Sequence, residues 1–234
     1  MRDVDATSLG MTKIHRGPLR KQIRDQIKGL ILTNHLRPGQ PIVIDQLATE
    51  LGVSHTPVRE ALAMLEHEGL VTLRPYENPR VAEIDASYAR EVWDMRLVLE
   101  GWAITRAVLT LPEEAMDELD ESIRVARQEA QESRYEAHIR ADIALHEMIL
   151  QAAKHSLFDR LAQLVSDQSI RIRWLVEAIA PVEEVLDMID EHCGVLDALR
   201  LRDPELAHQR LAAHLEAGLQ RTLAALEEMK ENEE

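Results

Sequence analysis

From Asp85 to its end, the 234-residue chain repeats apolar residues at helical spacing, with no interval that reads as a strand. Segments at 86–109, 112–132, 134–153, 156–179, 182–200 and 204–230 each set an apolar face against a charged one. Pro112, His155-Ser156, Pro181 and Asp203-Pro204 separate them. Six amphipathic helices with short connections bury their apolar faces most simply as an antiparallel bundle. Only 3% of residues are aromatic while 45% are hydrophobic, so the core must be built from Leu, Ile, Val and Ala, a palette that suits helices. No internal repeat of fixed period stands out.

The part before Asp85 reads differently. Residues 1–16 are polar without a sustained period and are expected to form a disordered arm. From Pro18, suited to a first helical turn, Leu19, Ile23, Ile27, Leu30 and Ile31 recur at helical spacing up to the turn signal Arg37-Pro38-Gly39. Ile44, Leu47, Ala48 and Leu51 mark a short helix stopped by Gly52, and Ser54 is placed to N-cap the next, with Val58, Ala61, Leu62 and Leu65 inward. After Gly69, strand-like pieces at 70–73 and 80–84 flank a turn at 75–79. The expected architecture is mainly α: a winged helix-turn-helix over 17–84, then an all-α antiparallel six-helix bundle over 85–234.

Charge follows this division. The formal net charge is −15, yet residues 1–80 hold 11 basic against 9 acidic side chains, whereas the remainder holds 16 against 33. Only the near-neutral first part can approach phosphates; the acidic remainder is repelled by them. The lone cysteine, Cys193, excludes an intramolecular disulfide framework and fits a reducing cytoplasm. No apolar run reaches eighteen residues, and residues 1–13 lack a signal-peptide layout, so a cytoplasmic chain with no membrane partner is expected.

In a helix-turn-helix the second helix enters the major groove while the first braces it. Here the exposed start of that second helix carries Ser54, His55, Thr56 and Arg59. Hydroxyls and helix N-terminal amides suit phosphate, and Arg59 can grip guanine with two hydrogen bonds. Arg74 and Arg80 on the wing are candidate phosphate contacts. The ordered string Leu36-Arg37-Pro38-Gly39, Leu47-Ala48, Leu51-Gly52-Val53-Ser54, Thr56-Pro57-Val58-Arg59-Glu60-Ala61-Leu62 and Leu65-Glu66-His67-Glu68-Gly69-Leu70-Val71 resembles the signature of the GntR superfamily. That resemblance implies DNA contacts at Arg37, Thr56 and Arg59, with Ser54, His55 and Pro57 in the same stretch. His55 stands where the family usually has arginine, and Tyr76-Glu77-Asn78-Pro79 occupies a wing tip that normally holds glycine.

In the second region Asp142 and His146 are four apart and share a helix face. His192 and His214 fall on the last two helices, at similar heights if those run antiparallel about Asp203-Pro204. The four either converge as a first shell for a borderline divalent ion or are ordinary helix side chains. This region resembles the FCD ligand-binding domain of the FadR subfamily, in its smaller VanR-like, six-helix branch. By that resemblance an Asp-x-x-x-His pair and two later histidines hold a metal, and Asp142, His146, His192 and His214 fall on those positions. Zinc is the first choice, with nickel and manganese as alternatives. The resemblance also places Arg96 near a small carboxylate effector, although pairing with Glu100 is the competing reading. Arg171 and Arg173 are further effector candidates. His155 stands near a position where the family often has asparagine, His138 and His208 are expected at the surface, and Trp93, Trp102 and Trp174 read as packing.

These readings add up to a homodimeric, sequence-specific DNA-binding regulator, commonly a repressor in this family, on a palindromic double-stranded operator and controlled by a carboxylate bound near the metal. The rivals are a metal-dependent helical-bundle enzyme and a non-sensing interaction scaffold. The enzyme reading fares poorly: in His146-Glu147-Met148-Ile149-Leu150 a leucine stands where a zinc protease needs its second histidine, and Glu205-Leu206-Ala207-His208 supplies only one of two di-iron half-motifs. Phosphate-cradling glycine loops and Gly-x-Ser-x-Gly are absent.

Overall fold

Ile23, Ile27 and Ile31, each four residues from the next, form the buried face of α1 (Leu19–Leu32), the first element of a computed structural model that describes residues 19–176 and 180–232. The expected arm at 1–16, Pro18, and the end of the helix expected to reach 179 lie outside the described residues. The chain falls into two compact units that divide between Ile84 and Asp85.

In the first unit α1 packs on α3 (His55–His67), and α2 (Ile44–Leu51) packs on α3 as well. Gly52, at φ 65°, closes α2 by aiming its N–H at the carbonyls of Ala48 and Thr49. A Cβ in that left-handed conformation would be strained, so glycine sets the angle at which the second helix leaves the first. Leu47, Val58, Ala61, Leu62 and Leu65 meet the α1 isoleucines in one core with Leu70, Val71 and Val81. Arg24 and Lys28 of α1 pair with Glu68 at 3.3 and 3.1 Å, bridging to the end of α3. The wing is an antiparallel pair, β1 (Val71–Thr72) and β2 (Arg80–Val81), with Val71 opposite Val81 and Thr72 opposite Arg80.

Two expectations need correction. Strands were read at 70–73 and 80–84, but the paired segments are two residues each. At Leu73 the backbone N–H turns to the Glu66 carboxylate, and beyond it the turn around Pro75 and Pro79 ends the ladder. Ser54 does occupy the N-cap position of α3 in an extended conformation, but its side chain makes no capping bond.

In the second unit, α4 (Ala86–Thr110), α5 (Glu113–Ala130), α6 (Glu136–Gln151), α7 (Ser156–Val176), α8 (Val182–Arg200) and α9 (Pro204–Glu231) form the bundle. α4 lies against α6, α7 and α9, α5 against α6 and α8, and α8 against α9. Starts are set locally: Asp85 accepts the Tyr88 N–H at 2.7 Å to cap α4, and Asp203 accepts the Leu206 N–H at 3.0 Å ahead of α9, whose first residue is Pro204. Between α8 and α9, Arg202 donates to the carbonyls of Val108 and Leu111 and so satisfies the end of α4. α4 departs from the expected division into one apolar and one charged face. Its inward side carries Arg96 and Glu100 among apolar residues, and Met95, Leu97, Val98, Trp102 and Leu109 are exposed. No helix among the described residues is long and apolar enough to cross a membrane.

Candidate functional site

On the first unit, the α2–Gly52–α3 turn brings Ser54, His55, Thr56 and Arg59 to the surface at the start of α3, with Pro57 half-buried beneath them. His55 Nε2 stands 3.2 Å from Asp45 on α2, so this side chain already has a carboxylate neighbour. Arg37 and Arg74 are exposed. Arg80 is exposed too, but one of its guanidinium nitrogens donates to the Gly39 carbonyl at 2.9 Å, tying the wing to the turn that follows α1. At the wing tip Tyr76 takes the left-handed conformation, φ 66°, and is fully exposed.

On the second unit, Asp142 and His146 point inward one turn apart on α6 and meet His192 from α8 and His214 from α9. One ligand atom from each of the four lies within 4.8 Å of the others, and all four residues are buried. His146 Nε2 stands 3.2 Å from His214 Nε2, and His192 Nε2 stands 2.9 Å from Asp142 Oδ1. The Asp142 and His192 atoms sit in no well-directed hydrogen bond despite their burial. Three imidazoles and one carboxylate at this spacing fit a borderline divalent ion with ligand bonds of about 2.0–2.2 Å. Arg173 also touches Asp142 Oδ1, so the carboxylate is neutralised from the side of α7 as well as facing the imidazoles.

The outer partners strengthen the fit. His146 Nδ1 faces Glu100 at 2.5 Å, and Glu100 is held in turn by Arg96 at 2.8 Å. His214 Nδ1 faces Glu191 at 2.8 Å, and both oxygens of Glu191 are gripped by Arg221. A carboxylate on Nδ1 fixes the tautomer that turns Nε2 toward the ion and raises its basicity. Burial alone would raise the pKa of Glu100, but Arg96 and His146 hold it down at about 2, so it stays charged. Asp142 lies well below the usual carboxylate range: burial opposes ionisation, but Arg173 and His146 outweigh it. Burial pushes His192 down from its ordinary value, and pushes His214 down further with the help of its neighbours His192 and His146.

Two cavities adjoin the cluster. One of about 20 Å³, room for about one water, is bordered by Asp142, His146, Arg96 and Arg173. The other, about 470 Å³, is bordered by His214, Trp93, Arg96, Arg173, Met188 and Gly218 among others. Arg96 and Arg173 therefore line both. Arg96 is 3% exposed and paired with Glu100, so the competing pairing is present, in the core instead of at the surface. Arg171 lines neither cavity; its guanidinium lies 5.5 Å from the ring centre of Tyr88.

His138 was expected at the surface and is fully buried, its ring stacked on His192 with centroids 5.5 Å apart. It stands four residues before Asp142, on the same inward face, and that spacing was the available signal. Burial, then the nearby His192, lowers its pKa to about 3. The contact of Glu100 with His146, and the roles of Glu191 and Arg221, were not legible in the sequence, because those partners lie on other helices. His208 is exposed as expected, and exposed His155 accepts the Phe158 N–H at the start of α7.

A helix-turn-helix with a wing, followed by a helical bundle of this kind, defines a DNA-binding transcription regulator. Residues 19–78 match the family described as bacterial regulatory proteins, gntR family, and residues 91–217 match the FCD domain. The chain belongs to the GntR family and carries an FCD domain. It is similar, at 29% identity over 219 residues and 94% of both chains, to the probable D-xylose utilization operon transcriptional repressor of Paenarthrobacter nicotinovorans. The solved structure of McbR/YncC from E. coli shares the fold, with a TM-score of 0.77 at 23% identity over 92% of this chain and 100% of that one. The metal-free FCD domain of TM0439 matches with a TM-score of 0.53 at 19% identity, over 62% of this chain and 98% of that domain. The relatives named for a function are transcription regulators and not enzymes.

Buried His138, His192 and His214 give the bundle a pH response. Burial lowers all three below the ordinary 6.5, so on acidification the unfolded chain takes up protons first. Stability is therefore complete above about pH 6.5 and falls as pH drops below it. Thermal melting of chelator-treated protein from about pH 7.5 to about pH 5 should show Tm falling steadily below the upper value; a flat Tm would mean that these imidazoles are not held neutral.

Proposed function

We propose that this chain is a homodimeric repressor whose hold on a palindromic double-stranded operator is set by a small carboxylate bound beside a divalent ion in the C-terminal bundle. The observation that carries this reading is the buried Asp142, His146, His192 and His214 cluster, with its carboxylate-backed imidazoles, beside a cavity walled by Arg96 and Arg173. Zinc suits the donor set best, and nickel or manganese suit it as well. When bound, the ion, held by Asp142, His146, His192 and His214, would supply a positive charge to attract a carboxylate oxygen. Arg96 and Arg173 add charge-assisted hydrogen bonds to the same group, and the cavity shelters the rest of the molecule from water. Arg96 and Glu100 sit on α4, whose first residue, Ala86, comes two positions after the end of the DNA-reading unit, so a shift at the effector enters the helix that leads directly from that unit.

In the same reading α3 lies in the major groove, with Arg59 on a guanine edge, Thr56 and Ser54 on phosphate, His55 and Pro57 beside them, and Arg37, Arg74 and Arg80 along the backbone. Two copies associate through the apolar surface of α4 and α7, where Val98, Trp102, Leu157, Leu161 and Leu164 are exposed and Trp102 lies 4.8 Å from Phe158. As a bacterial DNA-binding regulator it works in the cytoplasm.

Three measurements test the parts separately. Elemental mass spectrometry should find about one ion per chain, lost when His192 and His214 are both changed to alanine; an ion retained in that variant rejects the site. Arg59→Ala should weaken operator binding by about 1–3 kcal/mol while leaving ion content unchanged, and unaltered affinity would remove Arg59 from the interface. Leu161→Asp should convert the dimer to monomer in sedimentation; a dimer that persists would place the interface elsewhere.

A further inference from the structure

Three acids of the first unit are answered by basic side chains of α1: Glu60 pairs with Arg20, Asp25 with Arg24, and Glu68 with Arg24 and Lys28. Asp45 is placed otherwise. It sits in the first turn of α2 with its side chain 82% exposed, and its Oδ1 stands 3.2 Å from Nε2 of His55, the first residue of α3. The backbone on both sides of this contact is set by the fold. The Thr49 hydroxyl donates to the Asp45 carbonyl at 2.7 Å, and left-handed Gly52 fixes the turn between the two helices. A carboxylate therefore stands at the exposed start of α3, the stretch that carries Ser54, Thr56 and Arg59.

Phosphates repel such a group, so on a surface that meets DNA it weakens binding to every sequence alike unless it finds a hydrogen-bond donor. In the major groove those donors are the amino groups of cytosine N4 and adenine N6. An ionised carboxylate only accepts, and its two oxygens offer about four acceptor sites, so one imidazole contact does not exhaust it. On adenine the amino group stands beside the N7 acceptor, which repels a carboxylate; on cytosine it is the base's one hydrogen-bonding group in that groove. We infer that Asp45 reads a cytosine in each half-site by accepting from its N4 amino group, which makes a C·G pair a fixed position of the operator. This rests on the proposed seating of α3 in the major groove.

The test is selection by the full-length protein from a duplex pool randomised over about two helical turns, followed by sequencing of the bound fraction. The unaltered protein should enrich a motif with one cytosine per half-site whose replacement weakens binding about 10-fold. Asp45→Ala should keep the rest of the motif, accept any base at that position, and bind unselected duplex at least as tightly as before, since a negative charge has gone. Asp45→Asn, whose amide both donates and accepts, should exchange the cytosine for adenine, a switch that no loss of folding can produce. Unchanged base frequencies with Asp45→Ala, or cytosine retained by Asp45→Asn, would overturn the inference and leave the seating of α3 untouched. If the unaltered protein enriches no sequence at all, that seating fails first and this inference falls with it.

Discussion

Charge buried in the middle of the bundle is the condition on which the rest of the second unit depends. Asp142 and Glu100 are almost wholly out of water, and an isolated carboxylate there would cost far more than a domain has to spare. Arg173 answers one and Arg96 the other, while His146 lies between them. His138, His192 and His214 are pushed below the ordinary imidazole value because they share one dehydrated space. Such a network is worth keeping only if each member is satisfied, and a divalent ion would satisfy the atoms that the protein leaves facing one another.

The same requirement orders the helices. α6 supplies two neighbouring groups, so its rotation is fixed by the buried polar cluster as well as by Ile139, Leu145 and Ile149 in the core. α8 and α9 must deliver His192 and His214 at matching heights, and the short link capped by Asp203 and held to α4 by Arg202 sets that register. In the first unit the corresponding constraint is one left-handed residue, Gly52, which turns α3 so that His55, Thr56 and Arg59 face outward while Val58 and Leu62 face in.

Much of this was legible in the sequence, for identifiable reasons. Helices announced themselves because apolar period and punctuating prolines act locally, and Asp142 with His146 could be paired because four residues make one turn. The long ordered string from Leu36 to Val71 carried the DNA-reading unit. What escaped notice depended on partners from distant segments. His138 looked like any polar helix residue until His192 was packed against it, and Glu191 and Arg221 join only when α8 meets α9. Strand length in the wing was overestimated because Glu66 takes the Leu73 N–H. The outward apolar residues of α4 defeated a reading that assumed every helix faces water with charge.

The division of labour around the cavity has a consequence for how such a protein changes over generations. The four clustered groups, and the acids and arginines behind them, are tied to one another across five helices, so altering any one disturbs several. Trp93, Met188 and Gly218 border the same cavity without belonging to the four ion-facing groups or to the acids and arginines that hold them. On the proposed reading, substitution there would retune which molecule is sensed while the anchoring chemistry and the operator-reading surface stay intact. A lineage built on that plan would acquire new inducers by small steps along one wall, with no step that first dismantles the receptor.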